Sequence, residues 1–289
     1  MKTLLHMDQN IIDLFDEYTH KPLRRDEFIS RLAKLTGTMA AALAILPLLE
    51  SNYARAAEPL SNDLVEEEVS YPGDGVTMKG YLVRPKAGGK RGGVVVIHEN
   101  RGLTPHIKDV TRRAAAAGYT ALGVDALSVF GGTPANEDEG RTKIGQLDKA
   151  QNLKNYLLSL EYLRNRPDAN GKTGCVGFCW GGAMANQLAV NDPKLNAAVA
   201  FYGMQADVAD VPKIKAHLLL NYAETDERVN AGITAYEAAL KAAGVKYELY
   251  IYPGTQHAFH NDTSAARYNE AAAKLAWERT LKVFKETLA

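Results

Sequence analysis

Cysteine is scarce in these 289 residues: Cys175 and Cys179 are the only two, too few for a disulfide scaffold. No charge of one sign is in excess. The 34 Lys and Arg are matched by 34 Asp and Glu, which leaves no electrostatic footprint for nucleic acid. Long apolar runs are missing too, since the one candidate, residues 35–49, is short and broken by Pro47, which argues against a membrane span. No internal repeat is found, and no metal cluster. His98-Glu99 resembles the start of a His-x-x-x-His zinc helix, but Gly102 stands where the second histidine belongs. His257 and His260 would suit a metal pair only on one helix, and Pro253-Gly254 just before them reads as a loop. No cofactor is called for.

What is present is a large apolar fraction, 46%, in a chain of a length that commonly forms one α/β domain. From the seventies onward strand-like and helix-like runs alternate. Residues 78–84 alternate with period two, and residues 94–97 are continuously apolar, as in a central strand. Residues 107–117 read as a helix stopped by Gly118, and 120–125 as the next strand. Residues 147–163 form a crossover helix; 217–222 and 246–252 are strands, the second broken at Pro253-Gly254; 236–240 and 268–288 are the last helices. The stretch 128–140, rich in Gly, Pro, Asn and acids, is expected as a loop over the strand ends, either a substrate rim or plain surface.

One short segment carries the chemistry. Gly177-Phe178-Cys179-Trp180-Gly181-Gly182 follows an apolar strand and has the spacing of a Gly-x-Ser-x-Gly elbow, with cysteine at the nucleophile position. Such a turn lifts the side chain off the sheet top and aims the next N–H at the reacting carbonyl. Hydrolases of this architecture place an acid and then a histidine after later strands. Asp226 follows the strand 217–222, and His257 follows the strand 246–252, in that order. Cys175, inside a strand, reads as a small buried hydrophobe. Glu224 and Glu227 compete with Asp226, and His260 with His257; strand-end placement favours Asp226 and His257.

On these residues, together with His98-Glu99 after a strand and Tyr252-Pro-Gly-Thr-Gln-His257-Ala-Phe259, the chain from about residue 65 onward resembles the dienelactone hydrolase family (carboxymethylenebutenolidases). The resemblance implies an α/β-hydrolase fold, with a mostly parallel central sheet and helices on both faces. It implies a Cys179, His257, Asp226 triad acting on a small-molecule ester or lactone. It also implies that Glu99 helps convert the thiol to thiolate when substrate arrives, since only the thiolate attacks. The competing reading of Glu99 is a structural salt bridge with Arg101 or Arg112. The backbone N–H groups of Asn100 and Trp180 are the expected oxyanion hole. The family uses two arginines for a substrate carboxylate, one a few residues past the histidine, where this chain reads His257-Ala-Phe-His-Asn261. Arg141, or Arg101 beside the oxyanion hole, could stand in. An acyltransferase, a cysteine peptidase or a non-catalytic binding member of the fold are the alternatives.

Residues 1–60 are set apart from the hydrolase domain at 61–289. Ile11-Ile12, Leu14-Phe15 and Tyr18 have helical spacing, followed by Arg24-Arg25, the apolar run and Ala54-Arg55-Ala56. That order resembles a twin-arginine export signal, which would place the mature protein in the periplasm. Against it stand a late phenylalanine, a long leader and Pro47. The reading adopted is a retained helical extension of a cytoplasmic protein, packed on the domain or between subunits of a homo-oligomer.

Overall fold

The computed structural model describes residues 7–54, 56 and 61–289. Three helices come first: α1 (Gln9–His20), α2 (Arg25–Thr36) and α3 (Met39–Leu49). Then follow β1 (Leu64–Pro72), β2 (Thr77–Pro85), β3 (Arg91–Ile97), α4 (Pro105–Ala116), β4 (Thr120–Asp125), α5 (Glu137–Gly145) and α6 (Lys149–Arg164). The second half is β5 (Ala169–Phe178), α7 (Trp180–Asn191), β6 (Ala197–Phe201), β7 (His217–Thr225), α8 (Glu227–Asn230), α9 (Ile233–Ala242), β8 (Tyr247–Gln256) and α10 (Glu270–Leu288).

The strands form one eight-stranded sheet in the order β1-β2-β4-β3-β5-β6-β7-β8. Only β1 with β2 and β2 with β4 pair antiparallel; all other neighbours are parallel. Parallel strands are buried on both faces, and β3 shows why its sequence is continuously apolar. Val95 and Ile97 face one core, with Tyr156, Leu160 and Leu188 of α6 and α7. Val94 and Val96 face the other, with Ile107 of α4 and Phe284 of α10. This is the α/β-hydrolase arrangement, and it sets the carboxyl ends of β3, β5, β7 and β8 along one edge, where ligands of open α/β sheets bind.

Two expectations are corrected. The strand expected to break at Pro253-Gly254 continues to Gln256, its irregular register absorbed between Ala223 and Thr225 of β7. An edge strand tolerates Pro, because its missing N–H faces no partner. The stretch 128–140 is not all loop. It begins in a short 3-10 turn, and at Glu137 it enters α5, which Asn136 caps by accepting from the Asp138 and Glu139 N–H groups.

The amino-terminal helices have a core of their own. Ile11, Leu14, Phe15 and Tyr18 of α1 close on Phe28 and Leu32 of α2 and on Leu46 and Leu49 of α3, with Tyr18 stacked on Phe28 at 4.3 Å. The apolar run divides at Gly37, which ends α2 at φ 83°. No single described helix is long and apolar enough to cross a membrane; α2 and α3 reach that length only together and bend by 112°. The unit docks on the sheet domain through Asn52 N–H to Thr263 O (2.8 Å) and Ala266 N–H to Leu48 O (3.2 Å). Arg25 pairs with Glu50 at 2.6 Å. Of the Ala54-Arg55-Ala56 segment, Arg55 lies outside the described residues.

Candidate functional site

Cys179 sits between the last residue of β5 and the first of α7, at φ 56° and ψ −114°. A positive φ is costly for a residue with a Cβ and persists only where the surroundings enforce it. Here the enforcing contacts are close backbone approaches that only glycine allows. A Cβ on Gly177 would lie 1.9 Å from the Gly181 carbonyl oxygen, and one on Gly181 would meet the Ile97 and His98 carbonyl oxygens at 2.5 Å. The Cys179 N–H donates to Phe201 O at 3.0 Å, and its carbonyl accepts from the Gly182 and Ala183 N–H groups. The turn is thus clamped on both sides, and the thiol is held at the sheet edge.

Asp226 and His257 meet there. The Nδ1 of His257 lies 2.6 Å from Oδ2 of Asp226, and both are buried. Asp226 also caps α8, its Oδ1 accepting from the Val229 N–H at 3.3 Å, so the carboxylate is anchored from both oxygens. With Nδ1 as the donor, the His257 Nε2 is free to accept a proton. Neither Glu224 nor Glu227 takes that place: Glu224 accepts from the Gly254 N–H, and Glu227 opens α8. His260 is buried among Phe178, Phe201 and Trp277, where burial holds it well below the ordinary imidazole range.

A fourth side chain, which no spacing rule indicated, completes the group. His20, the last residue of α1, places Nε2 3.2 Å from the Cys179 sulfur and its ring edge-on to His257 at 4.7 Å. Its Nδ1 lies 3.1 Å from Asp16 Oδ1, one helical turn back, and 2.9 Å from the Asp16 carbonyl. Ring nitrogens of His20 and His257 and the Cys179 sulfur all lie within 4.8 Å of one another. That is the only grouping among the described residues tight enough to share a metal ion. Within that group His20 is hydrogen-bonded to the sulfur, and each imidazole has a carboxylate near its other ring nitrogen.

The electrostatics follow from these contacts. Burial by itself pushes the Cys179 thiol up, but the charges of His257 and His20 outweigh it and bring the group down to about 6. Burial likewise opposes the charged form of His257, yet the Cys179 sulfur and Asp226 raise it well above the ordinary range. His20 is raised for the same reasons, against its burial, by Cys179 and Asp16. Cys175 behaves oppositely: burial without a cationic neighbour pushes it far above the ordinary thiol range.

The remaining expected residues surround this centre. Glu99 follows β3 and lines a narrow cleft with Cys179 and His257. It pairs with neither Arg101 nor Arg112; its Oε2 accepts from Asn261 Nδ2 at 2.9 Å, while Arg112 reaches Asp109 at 3.4 Å. Asn100 and Trp180 border a pocket of about 660 Å³ above Cys179, with Trp180 stacked on His98 at 5.2 Å. His98 is held as the Nδ1–H tautomer, because its Nε2 accepts from the Ala126 N–H at 3.2 Å. Arg141 of α5 is also on the pocket wall, but its guanidinium donates to Tyr18 O at 2.5 Å and lies over the Tyr18 ring at 4.2 Å. Arg101 is paired with Glu137 at 2.5 Å. Neither arginine offers the free guanidinium expected for a substrate carboxylate. Arg267 was missed. It is buried in the same narrow cleft, ten residues beyond His257, with its guanidinium over the Phe15 ring at 4.9 Å.

The profile of the dienelactone hydrolase family matches residues 78–288. The "Putative carboxymethylenebutenolidase" of Escherichia coli K12 is 31% identical over 261 residues, covering 82% of this chain and 96% of that protein. "Protein usf" of Aquifex pyrophilus is 32% identical over 234 residues, covering 76% and 98%. The crystal structure of dienelactone hydrolase from Anabaena variabilis superposes with a TM-score of 0.63 at 24% identity, covering 79% of this chain and all of that one. The family match begins at residue 78, so α1 to α3 lie outside it.

Proposed function

The chain belongs to the dienelactone hydrolase family and is a hydrolase on that ground, and from this premise we propose that it cleaves carboxylic esters or lactones with Cys179 as the nucleophile. The observation that carries the reading is the strained Cys179 turn facing a His257 whose Nδ1 is bound by Asp226 at 2.6 Å. A thiolate that is substantially formed at neutral pH attacks the carbonyl carbon, and the carbonyl π electrons move onto oxygen. The oxyanion is held by the Asn100 and Trp180 N–H groups; one such donor is typically worth ~3 kcal/mol. The intermediate collapses with cleavage of the C–O bond, and the leaving alkoxide takes a proton from imidazolium. His257, oriented by Asp226, then removes a proton from water, hydroxide attacks the thioester, and the C–S bond breaks to regenerate the thiolate.

The pocket of about 660 Å³ suits a small substrate. Hydrolysis of a chromogenic acetate ester by the wild type and by Cys179→Ala tests the reading. Loss of turnover of at least about 10³-fold in the variant, with an unchanged melting curve, is the expected outcome. Equal rates in clean protein would reject it. Addition of a competing alcohol or amine acceptor separates hydrolysis from acyl transfer through the product formed.

A further inference from the structure

Two imidazoles converge on one thiol, His257 from the end of β8 and His20 from α1. The His20 Nε2 is 3.2 Å from Sγ. The His257 ring nitrogen lies within 4.8 Å of the same sulfur and also favours the thiolate, by its charge and by side-chain contact. His20 is therefore a second base within hydrogen-bonding distance of the thiol. It arrives on α1, outside the span that matches the family, from 159 residues upstream.

The placement of His20 is enforced rather than incidental. Asn100 Nδ2 donates to the Thr19 carbonyl at 2.6 Å, Arg141 donates to the Tyr18 carbonyl, and the Tyr18 hydroxyl donates to Asp138 at 2.7 Å. The last turn of α1 is thus held by two pocket residues and by α5. Behind the ring, Asp16 is kept ionised: burial opposes this, but the contact with His20 and the nearby charges of His257 and Arg267 hold its carboxyl well below the usual range. The titratable groups around His20 are then Asp16 on its own helix, Cys179 opening α7 and His257 after β8. Glu99 after β3 and Arg267 before α10 line the same cleft. An Asp–His pair with its free nitrogen on the nucleophile is the orientation that Asp226 and His257 have beside it.

We propose that His20 is a second catalytic imidazole, which shares the Cys179 proton with His257 before substrate arrives and delivers it to the leaving alkoxide, leaving His257 to activate water at the thioester. The proposal rests on Cys179 being the nucleophile. In the first step the S–H bond breaks and the proton moves onto the pair of imidazoles, shared between His20 Nε2 and His257, giving thiolate and one imidazolium. After attack and C–O cleavage that same proton passes through His20 to the alkoxide, leaving both imidazoles neutral in the thioester. Water then gives its proton to His257, and the acid product ionises on release. The proton on His257 is then shared again with His20 across the thiolate, and the cycle closes. The amino-terminal helices are in this account part of the catalytic machinery.

The test is the pH dependence of iodoacetamide alkylation, read at the Cys179 peptide, in full-length wild type, His20→Gln and Asp16→Asn, alongside ester hydrolysis. The wild type is expected to reach half its limiting alkylation rate near pH 6. His20→Gln should move that midpoint up by a unit or more, so that alkylation at pH 6 slows about tenfold, and lower kcat/KM by about 10²-fold. Asp16→Asn, which leaves the ring in place, should move the midpoint the same way by less; it decides the matter if His20→Gln does not fold. Wild-type midpoints in the folded variants would overturn the role of His20 while Cys179→Ala remained inactive. An active Cys179→Ala would overturn the nucleophile assignment and this proposal together.

Discussion

His257 and Asp226 stand 2.6 Å apart, Nδ1 to Oδ2, although 31 residues separate them, because β7 and β8 are parallel neighbours whose ends release both residues at the same edge of the sheet. A carboxylate at that nitrogen selects the tautomer in which Nε2 can accept a proton, and it stabilises the imidazolium. Asp226→Asn is the informative variant, because an amide keeps the cap on the Val229 N–H and leaves α8 in place. Its kcat should fall by about 10²–10⁴-fold with KM little changed, since the loss is confined to the transition state. Steady-state kinetics on an ester checks this; a wild-type kcat would remove Asp226 from the mechanism.

The pH profile of kcat/KM should carry an acid limb set by Cys179. Its pKa is depressed to about 6 in the folded protein, so the attacking thiolate is present above that pH and is lost as pH falls through it. An unassisted thiol would place the limb near ~8.5. A rate that still rises between pH 7.5 and 9 in the wild type would mean that the flanking imidazoles do not hold the thiolate.

Arg267 brings a guanidinium to the narrow cleft beside Cys179 and His257, where it lies over the Phe15 ring at 4.9 Å, while Arg101 and Arg141 are held by Glu137 and by α1. Arginine is well suited to a substrate carboxylate. Arg267→Gln should therefore raise KM for a carboxylate-bearing ester by about tenfold and leave a neutral ester of the same size within about twofold. Parallel kinetics on the two esters makes the comparison, and equal losses on both would point to a structural role.

The architecture was legible because its signals are local. The apolar run of β3, the glycines around Cys179 and the strand-end positions of Asp226 and His257 follow from period and turn chemistry, and the structure gathers those three side chains at one edge. Where local signals were weak the reading slipped. Pro253-Gly254 looked like a strand end but sits on the edge strand β8, where a missing N–H costs little. The acids after residue 136 looked like a loop but occupy the first turn of α5, where negative charge favours the helix amino terminus.

The chain order of Cys179, Asp226 and His257, and the tight turn that presents the thiol, were written in the sequence itself, because a strand end and a glycine are properties of a few neighbouring residues. Which further groups reach the thiol was decided by tertiary structure alone. Helical spacing in residues 11–18 states that one face of α1 is buried, but not against what. Only the docking of that helix through Thr19 and Tyr18 sets His20 on Cys179, and only the fold of the chain after His257 brings Arg267 back into the cleft. Contacts between residues 159 positions apart depend on how whole elements pack, and no short window of sequence encodes them.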